Sequence, residues 1–384
     1  MFLKQTMHNN PGLIEFAFHA QQHRKLLPDS YIIDIDAFTD NAAKILKKAD
    51  EAGISLYFML KQAGRNPVLA NILKSMNFGA SVSVDFKEAL FYISQGIPLG
   101  NVGHLVQIPE AALEKIVDAR PEIMTVYSLE KAKSISAIAK AKGIVQPVML
   151  RVFGKDDFMY PGQYAGISID EIDSFAKELD GLKGIALSGV CGFPCLLYNE
   201  RKKEIEPTPN AYTVISAADK LRAKGYNITQ INLASVNCSE SVNIVKRLGG
   251  THMEPGHGLM GSTPAHADGG IETQSMVYMS EISHNFKGNS YCFGGGHYRR
   301  SNAKSALVGK DMLGAGEIEI LPQDESSIDY HFGLKESANV GDCVVMAFRS
   351  QVFVTRSNVV PVKGIKSGKP EIVGIFDPFG RRLE

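Results

Sequence analysis

The 384-residue chain carries 41 basic and 41 acidic side chains, so its formal net charge is zero, and 44% of its residues are hydrophobic. This composition is typical of a globular protein with a large core, and a neutral balance gives no reason to expect a nucleic-acid or membrane partner. The sequence has no long apolar stretch, no signal-like start and no Cys-x-x-Cys pair among its five cysteines, which favours a cytoplasmic protein with reduced thiols.

Strand-like and helix-like segments alternate from residue 30 onward, after an N-terminal helical segment over residues 1–29. A first strand is predicted over residues 30–36, and apolar residues at helical spacing follow it from Phe38 to Ala49. Eight more strands are predicted before residue 260, over residues 56–60, 80–84, 102–106, 124–127, 148–153, 185–190, 230–233 and 252–254. Helical segments separate most of them, and this alternation predicts a TIM-type (β/α)8 barrel rather than an open sheet.

The pattern changes after about residue 270. Strand-like runs with glycine-rich turns and little helical periodicity then follow, over residues 275–282, 291–293, 343–348 and 352–355. We therefore predict a barrel domain over residues 30–270 and a C-terminal β domain over residues 271–384, with the 30–36 strand free to join the second domain.

Polar residues at the predicted strand ends are the candidates for chemistry, because barrel enzymes work at that face. Lys61 follows the first barrel strand and is either a solvated strand end or a Schiff-base nucleophile. Glu254 follows the eighth strand, where a carboxylate needs a partner, either a protonated ring nitrogen or a neighbouring Arg or Lys. Ser235 and Gly256 lie in the loops after the last two strands, and these are either ordinary turns or a phosphate site.

Other candidates carry weaker signals. His104 and Arg151 end the third and fifth barrel strands, and Arg65 is placed to hold a carboxylate. The segment 291–300 is either a flexible hairpin turn or a source of acid, base and anion-binding groups, namely Tyr291, His297, Tyr298 and Arg299. The spacings of the His19/His23 and Cys191/Cys195 pairs match no metal-binding set, so we expect no metal site.

The order of these motifs resembles that of the fold-type III pyridoxal-phosphate enzymes, the alanine racemase group. The matching segments are Ile33-Asp-Ile-Asp-Ala37, Asn41, Lys61-Gln-Ala-Gly-Arg-Asn-Pro67, Gly189–Pro194, Ala234-Ser235 and Glu254-Pro-Gly-His-Gly-Leu-Met-Gly-Ser-Thr-Pro264. The chain is most similar to the YhfX-type branch, through Leu105–Pro109, Tyr160–Gln163, Phe193–Leu197 and Gly294-Gly-Gly-His-Tyr-Arg-Arg300.

The resemblance implies pyridoxal 5'-phosphate as the cofactor, with Lys61 as its Schiff-base lysine and as one catalytic base. Ser235, Gly256 and His257 would hold the phosphate, Glu254 would face the pyridine nitrogen, and His104 and Arg151 would complete the cofactor site. Alanine racemases place an arginine at the ring nitrogen, and Glu254 is instead similar to the Glu-Pro-Gly-Arg motif of the decarboxylases in this group.

Two further departures from the racemase pattern stand out. Gly192 occupies the place of a histidine that packs on the cofactor ring, and residues 292–296 contain no tyrosine where the racemases keep their second base. Tyr291, His297 and Tyr298 are the possible replacements, and the resemblance does not choose among them.

These observations lead to a racemase or epimerase as the first hypothesis. Lys61 would remove the Cα proton of an amino acid from one face, and Tyr291, His297 or Tyr298 of a partner chain would return it on the other. Arg65 or Arg299 would bind the substrate carboxylate, and the protein would be a homodimer with shared active sites. The alternatives are a decarboxylase or a Cα–Cβ lyase using the same cofactor, or a non-catalytic cofactor-binding protein.

Overall fold

The computed structural model describes residues 1–298, 300–324, 326 and 328–384. The chain forms two compact units: one consists of Met1–Ala43, Leu60–Ile72 and His257–Glu384, and the other of Lys44–Met59 and Leu73–Gly256. The linear domain boundaries at residues 29 and 270 stay predictions. No helix in this described part of the chain is long and apolar enough to cross a membrane.

The N-terminal elements belong to the first unit up to Ala43, and the end of their last helix, from Lys44, belongs to the second. They are the helices α1 (Leu3–Asn9) and α2 (Pro11–Gln22), strand β1 (Ser30–Asp34) and helix α3 (Ile35–Ala52). The strand is two residues shorter than predicted because Asp34 starts the helix: its Oδ1 accepts hydrogen bonds from the backbone N–H groups of Asp36 at 2.9 Å and Ala37 at 3.2 Å.

Eight parallel strands close into a barrel within the second unit. They are β2 (Ser55–Phe58), β3 (Ala80–Ser83), β4 (Leu99–Val102), β5 (Ile123–Val126), β6 (Gln146–Phe153), β8 (Ile185–Gly192), β11 (Gln230–Leu233) and β12 (His252–Met253). The barrel closes because β5 pairs with β6 and β12 pairs with β2. Strand β7 (Ile167–Ser168) adds to β6, and β9 (Leu196–Asn199) with β10 (Glu204–Pro207) forms a separate hairpin. The predicted TIM-type barrel is confirmed.

Helices follow most of the barrel strands. They are α4 (Pro67–Ser75), α5 (Phe86–Ser94), α6 (Glu110–Asp118), α7 (Leu129–Ala141), α8 (Ile172–Leu179), α9 (Pro209–Ala223) and α10 (Val242–Leu248). The side chains of Asp85 and Ser128 accept backbone N–H groups at the starts of α5 and α7, so both act as N-caps.

The third barrel strand lies earlier in the chain than predicted. The expected strand over residues 102–106 is wrong, since β4 ends at Val102. Gly103 follows in a left-handed conformation with φ of +97°, where a Cβ atom would lie 2.7 Å from Thr125 O. His104 therefore lies in the loop after β4.

A second sheet is built by the first unit. Its other strands are β13 (Met276–Phe286), β14 (Asn289–Phe293), β15 (Ser305–Gly309), β16 (Gly316–Glu319), β17 (His331–Leu334), β18 (Cys343–Met346), β19 (Asn358–Lys363) and β20 (Glu371–Ile372). Strand β1 lies between β13 and β19 in this sheet, where Ile32 pairs with Val277 and Val360. The expected β-rich C-terminal region is thus confirmed.

One predicted strand of this region is wrong. Residues 352–355 read as a strand because they are apolar, but Val352–Val354 forms a 3₁₀ turn. This turn packs against a second 3₁₀ turn, Lys61–Ala63, and the Ser350 hydroxyl donates a 2.9 Å hydrogen bond to Gln62 O. The tertiary contact replaces the sheet hydrogen bonds that a strand would have needed.

Candidate active site

A buried carboxylate lies at the C-terminal end of the last barrel strand. Oε1 of Glu254 accepts hydrogen bonds from Asn232 Nδ2 at 2.6 Å and Asn101 Nδ2 at 2.9 Å. His104 Nδ1 lies 3.3 Å from Oε1 and 3.2 Å from Oε2. The backbone N–H of Glu254 donates to Asn237 Oδ1 at 2.8 Å, so both the main chain and one carboxylate oxygen are fixed.

The surroundings keep this carboxylate charged. Burial opposes ionisation, but the charge of His104 and the hydrogen bonds from the imidazole and the two asparagine amides hold the pKa of Glu254 below its ordinary value. Its Oε2 atom is buried and accepts no hydrogen bond from the described residues. A buried anionic oxygen of this kind fits a ligand that carries an N–H group.

Other polar atoms near this end of the barrel are also buried without a hydrogen-bond partner among the described residues. They are Ser83 Oγ, His104 Nε2 and Asn232 Oδ1. In contrast, Thr125 Oγ1 donates to Asn101 Oδ1 at 2.7 Å and fixes that amide from behind. Buried polar atoms are usually paired, so several open ones in a single region indicate a binding site.

Arg151 holds the loop that carries His104. Its Nη1 donates to the backbone oxygen of His104 at 3.3 Å and its Nη2 to Gln163 O at 3.1 Å. The Tyr127 hydroxyl donates to the same His104 oxygen, and the guanidinium carbon lies 5.6 Å from the Tyr127 ring centroid. The structure therefore gives Arg151 a positioning role, and its predicted contact with a cofactor stays a prediction.

The loops after the last two barrel strands contain the predicted phosphate residues. Ser235 and Val236 have φ values of +101° and +46°, a conformation that non-glycine residues rarely adopt and that costs about 1–3 kcal/mol each. Gly256 is buried, and the preceding Pro255 accepts a 2.9 Å hydrogen bond from the N–H of Met59, two residues before Lys61 in the chain. Strain of this kind is common where backbone N–H groups face a ligand.

Lys61 begins the 3₁₀ turn of the other unit. Its side chain is half-buried, and Nζ lies 6.0 Å from the centroid of the Phe353 ring. Arg65 is buried, with its guanidinium carbon 5.2 Å from the Phe353 centroid and 5.8 Å from that of Phe379. The two cations therefore share one aromatic ring, which stabilises their charges by cation–π attraction.

His257 is a neutral imidazole in the same unit. Its Nδ1 lies 3.0 Å from Ser262 Oγ, and the Gln351 amide nitrogen lies 3.3 Å from its Nε2. Burial, reinforced by the charges of Arg349 and Lys61, holds the pKa of His257 well below its ordinary value. Since the amide of Gln351 is a donor, the ring proton is assigned to Nδ1.

The glycine-rich segment is packed against the second sheet. The Asp29 carboxylate accepts the hydroxyl groups of Tyr278 and Ser357, and a Cβ atom on Gly295 would lie 2.1 Å from its oxygens. Arg356 donates its backbone N–H to Gly295 O at 2.9 Å. Packing this close favours a fixed segment over the flexible hairpin turn considered from the sequence.

The three candidates for the second base lie in different surroundings. The Tyr291 ring stacks on His284 with centroids 5.0 Å apart, and His297 Nδ1 lies 3.4 Å from Asp329 Oδ2. Two guanidinium groups lie near the Tyr298 ring, that of Arg300 at 5.4 Å and that of Arg349 at 6.0 Å from its centroid. The predicted substrate residue Arg299 lies outside the described residues.

Sequence reasoning missed several of the residues that shape these sites. They are Asn101, Asn232, Asn237, Arg349, Gln351 and Phe353. Asn101 and Asn232 stand inside otherwise apolar barrel strands, and that signal was available from the sequence. The contacts of residues 349–353 with the Lys61 turn and His257 required the tertiary structure.

Sequence comparison assigns the family. Residues 33–264 match the family described as alanine racemase, N-terminal domain, and residues 277–372 match the YhfX-like C-terminal domain. The chain belongs to the alanine racemase-like family. It is also 42% identical over 385 residues to the uncharacterized protein YhfX of Escherichia coli (strain K12), with all of both chains covered.

Solved structures share the fold at low identity. D-threo-3-hydroxyaspartate dehydratase from Delftia sp. HT23 has a TM-score of 0.68 and 15% identity, covering 90% of this chain and 97% of the enzyme. Alanine racemase of Clostridium difficile 630 has a TM-score of 0.62 and 17% identity, covering 92% and 99%. Racemase, aldolase, dehydratase and decarboxylase structures are all similar to the chain, so the fold alone does not fix the reaction.

Family membership implies pyridoxal phosphate, and the described residues fit it. In the second unit, Glu254 offers a buried anionic oxygen that suits a protonated ring nitrogen. In the first unit, Lys61 supplies an amine, and its predicted bond to the aldehyde carbon stays a prediction. At Gly192, where the resemblance expects a histidine, a Cβ atom would lie 2.5 Å from Val214 Cγ2. Ser235 and Gly256 would hold the phosphate.

Proposed function

We propose that the protein is a pyridoxal-phosphate-dependent amino-acid racemase or epimerase. The charged Glu254 carboxylate, whose Oε2 atom accepts no hydrogen bond from the described residues, supports the cofactor chemistry, and membership of the alanine racemase-like family supports racemisation. The cofactor supplies an electron sink for the charge left at Cα when a bond there breaks, and a carboxylate that keeps its ring nitrogen protonated strengthens that sink.

Lys61 moves the proton at Cα on one face. The Phe353 ring at 6.0 Å attracts its cationic form, so the ring orients the amine when it has taken a proton. The buried guanidinium of Arg65 lies 5.2 Å from the centroid of the same ring and 5.8 Å from that of Phe379. The predicted contacts of Arg65 and Arg299 with the substrate carboxylate stay predictions.

Tyr298 is the proposed proton carrier on the opposite face. The guanidinium of Arg349 lies over its ring. The positive charges of Arg349 and of Lys61 both lower the pKa of His257, so Arg349 and Lys61 act on the same imidazole. By contrast, Tyr291 stacks on His284, and the His297 ring lies beside the Asp329 carboxylate. The proposal includes a homodimer with shared active sites.

Proton exchange in deuterated water tests this function. Purified enzyme loaded with cofactor should replace the Cα–H of a substrate amino acid by deuterium and convert one enantiomer into the other. Tyr298→Phe should retain exchange without inversion, because Lys61 still serves its own face, and Tyr291→Phe is the matched control that should keep both. If no amino acid exchanges its Cα proton, the proposed function is wrong.

A lyase or decarboxylase reaction is the second candidate. Glu254, in the place of the arginine of alanine racemases, favours it, because a stronger electron sink also assists loss of a carboxylate or an aldehyde. Release of carbon dioxide or of an aldehyde from an amino acid would support this candidate. Bound cofactor whose absorption responds to no amino acid would instead support a non-catalytic binding protein.

A further inference from the structure

We infer that His104 is the positioning residue that keeps the Glu254 carboxylate able to accept an N–H group from a heteroaromatic ring. The inference rests on the proposed function and assigns a residue of the loop after β4 to the task.

The geometry separates His104 from the other donors. Asn101 and Asn232 both donate to Oε1 of Glu254, whereas the imidazole lies within 3.3 Å of both carboxylate oxygens. The histidine is therefore the described side chain that lies beside Oε2, as an ion pair at 3.2 Å, while that oxygen accepts no hydrogen bond from the described residues. Its Nδ1 faces the carboxylate, so the ring proton is assigned to that nitrogen.

The position of His104 is fixed by contacts of its backbone oxygen and of its ring. Its backbone oxygen accepts Arg151 Nη1 at 3.3 Å and the Tyr127 hydroxyl, and its ring packs edge-on against Phe193, 6.1 Å between centroids. His104 is 1% exposed, and its Nε2 atom has no partner among the described residues. A side chain held this tightly beside an open carboxylate oxygen is pre-organised for a ligand.

The other ionisable groups around Glu254 with shifted pKa values do not change protonation state at ordinary pH. Burial raises the pKa of Tyr57 and of Cys195 well above their usual values and that of Cys191 to about 12, and it lowers the pKa of His252 to about 4. These four groups therefore keep their charge state between about pH 6 and 9, so they do not produce a pH dependence at Glu254 in that range.

Paired cofactors with and without the ring nitrogen test the inference. The affinities of pyridoxal phosphate and of 1-deazapyridoxal phosphate, in which C–H replaces the nitrogen, are compared by titration of cofactor-free protein. Both aldehydes react with the same lysine, so the affinity ratio isolates the ring nitrogen. We expect the wild type to prefer the natural cofactor by about tenfold or more, the ratio that a charge-assisted hydrogen bond produces.

Replacement of the imidazole should change this preference in a pH-dependent way. In His104→Phe, Glu254 loses a stabilising partner and becomes protonated more easily, so the preference should fall to less than about threefold at pH 6 and approach the wild-type value at pH 9. His104→Gln, which retains an N–H donor, should restore it at pH 6. His252→Phe, at the other end of the barrel, is the matched control and should behave as the wild type.

The outcomes separate the two proposals. A wild type that binds neither aldehyde contradicts the proposed function. If the wild type shows the preference and His104→Phe shows it equally at pH 6, only the role of His104 is wrong. The inference also fails if His104→Phe weakens both cofactors equally at every pH, since His104 would then be purely structural; should that variant not fold, the comparison of His104→Gln with wild type at pH 6 decides.

Discussion

The two ends of the barrel both contain polar side chains, but they differ in whether the buried polar atoms have hydrogen-bond partners. At the N-terminal ends of the strands, the Tyr57 hydroxyl lies 2.9 Å from Glu122 Oε2 and 3.1 Å from Gln230 Oε1, and no described polar atom of these residues is both buried and unpaired. At the C-terminal ends, polar atoms of Ser83, His104, Asn232 and Glu254 are buried without hydrogen-bond partners among the described residues.

This difference supports the proposal that the C-terminal end of the barrel binds a ligand and that the N-terminal end serves stability. A fully paired network stabilises the fold by itself, whereas open buried atoms carry a cost that a ligand removes. We call the N-terminal end of the barrel strands the closed end and the C-terminal end the open end. Mutations at the closed end should reduce stability, whereas mutations at the open end should reduce activity.

The largest expected effect is at the open end. Glu254→Gln removes the anion that we propose to face the ring nitrogen, and we expect turnover to fall about 10²- to 10³-fold, as for loss of a key electrostatic contact. The cofactor should remain bound to Lys61, because the substitution preserves the shape of the side chain. Turnover and cofactor content are measured on the same samples, and wild-type turnover in Glu254→Gln would contradict the assignment.

The next effect is a pH dependence at the closed end. Burial lowers the pKa of His252 to about 4, so between about pH 6.5 and 4 the unfolded chain binds a proton that the folded chain rejects. Stability should therefore fall by about 2 kcal/mol as the pH drops through this window. Urea unfolding of wild type and His252→Gln at several pH values measures it; equal slopes in the two proteins would refute the prediction.

A smaller effect is expected from Tyr57→Phe. The variant loses the hydroxyl that contacts Glu122 and Gln230, and the free energy of unfolding should fall by about 1 kcal/mol. Turnover should be unchanged, in contrast to Glu254→Gln. A large loss of activity without loss of stability would break the distinction between the two ends.

The smallest effect concerns the strained loop after β11. Ser235→Gly should raise the free energy of unfolding by up to about 1 kcal/mol, because glycine adopts a φ of +101° without strain. If the hydroxyl of Ser235 binds phosphate, the variant should also weaken pyridoxal phosphate more than pyridoxal. Calorimetry or denaturant unfolding gives the first result, and titration of the two aldehydes gives the second.

The sequence predicted the barrel well because strand and helix periodicities alternate along it. It failed where a single backbone or tertiary feature decided the structure. Strand β4 ends just before Gly103, so most of the strand predicted over residues 102–106 is a loop. The apolar residues Val352–Val354 form a turn that packs against the Lys61 segment. Lys61 and Glu254 were predicted as site residues from their positions at strand ends, and their roles stay predictions. The pairing of His104 with Glu254 was not, because it joins residues 150 positions apart.

The central claim is that Lys61 holds the aldehyde of pyridoxal phosphate. Cofactor is added to the purified protein, the absorption near about 420 nm is recorded, and the adduct is reduced with borohydride and located by peptide mass analysis. The account predicts a single labelled peptide carrying the cofactor on Lys61 and no 420 nm band in Lys61→Ala. A label on other lysines with Lys61 unmodified, or an unchanged band in Lys61→Ala, would contradict it.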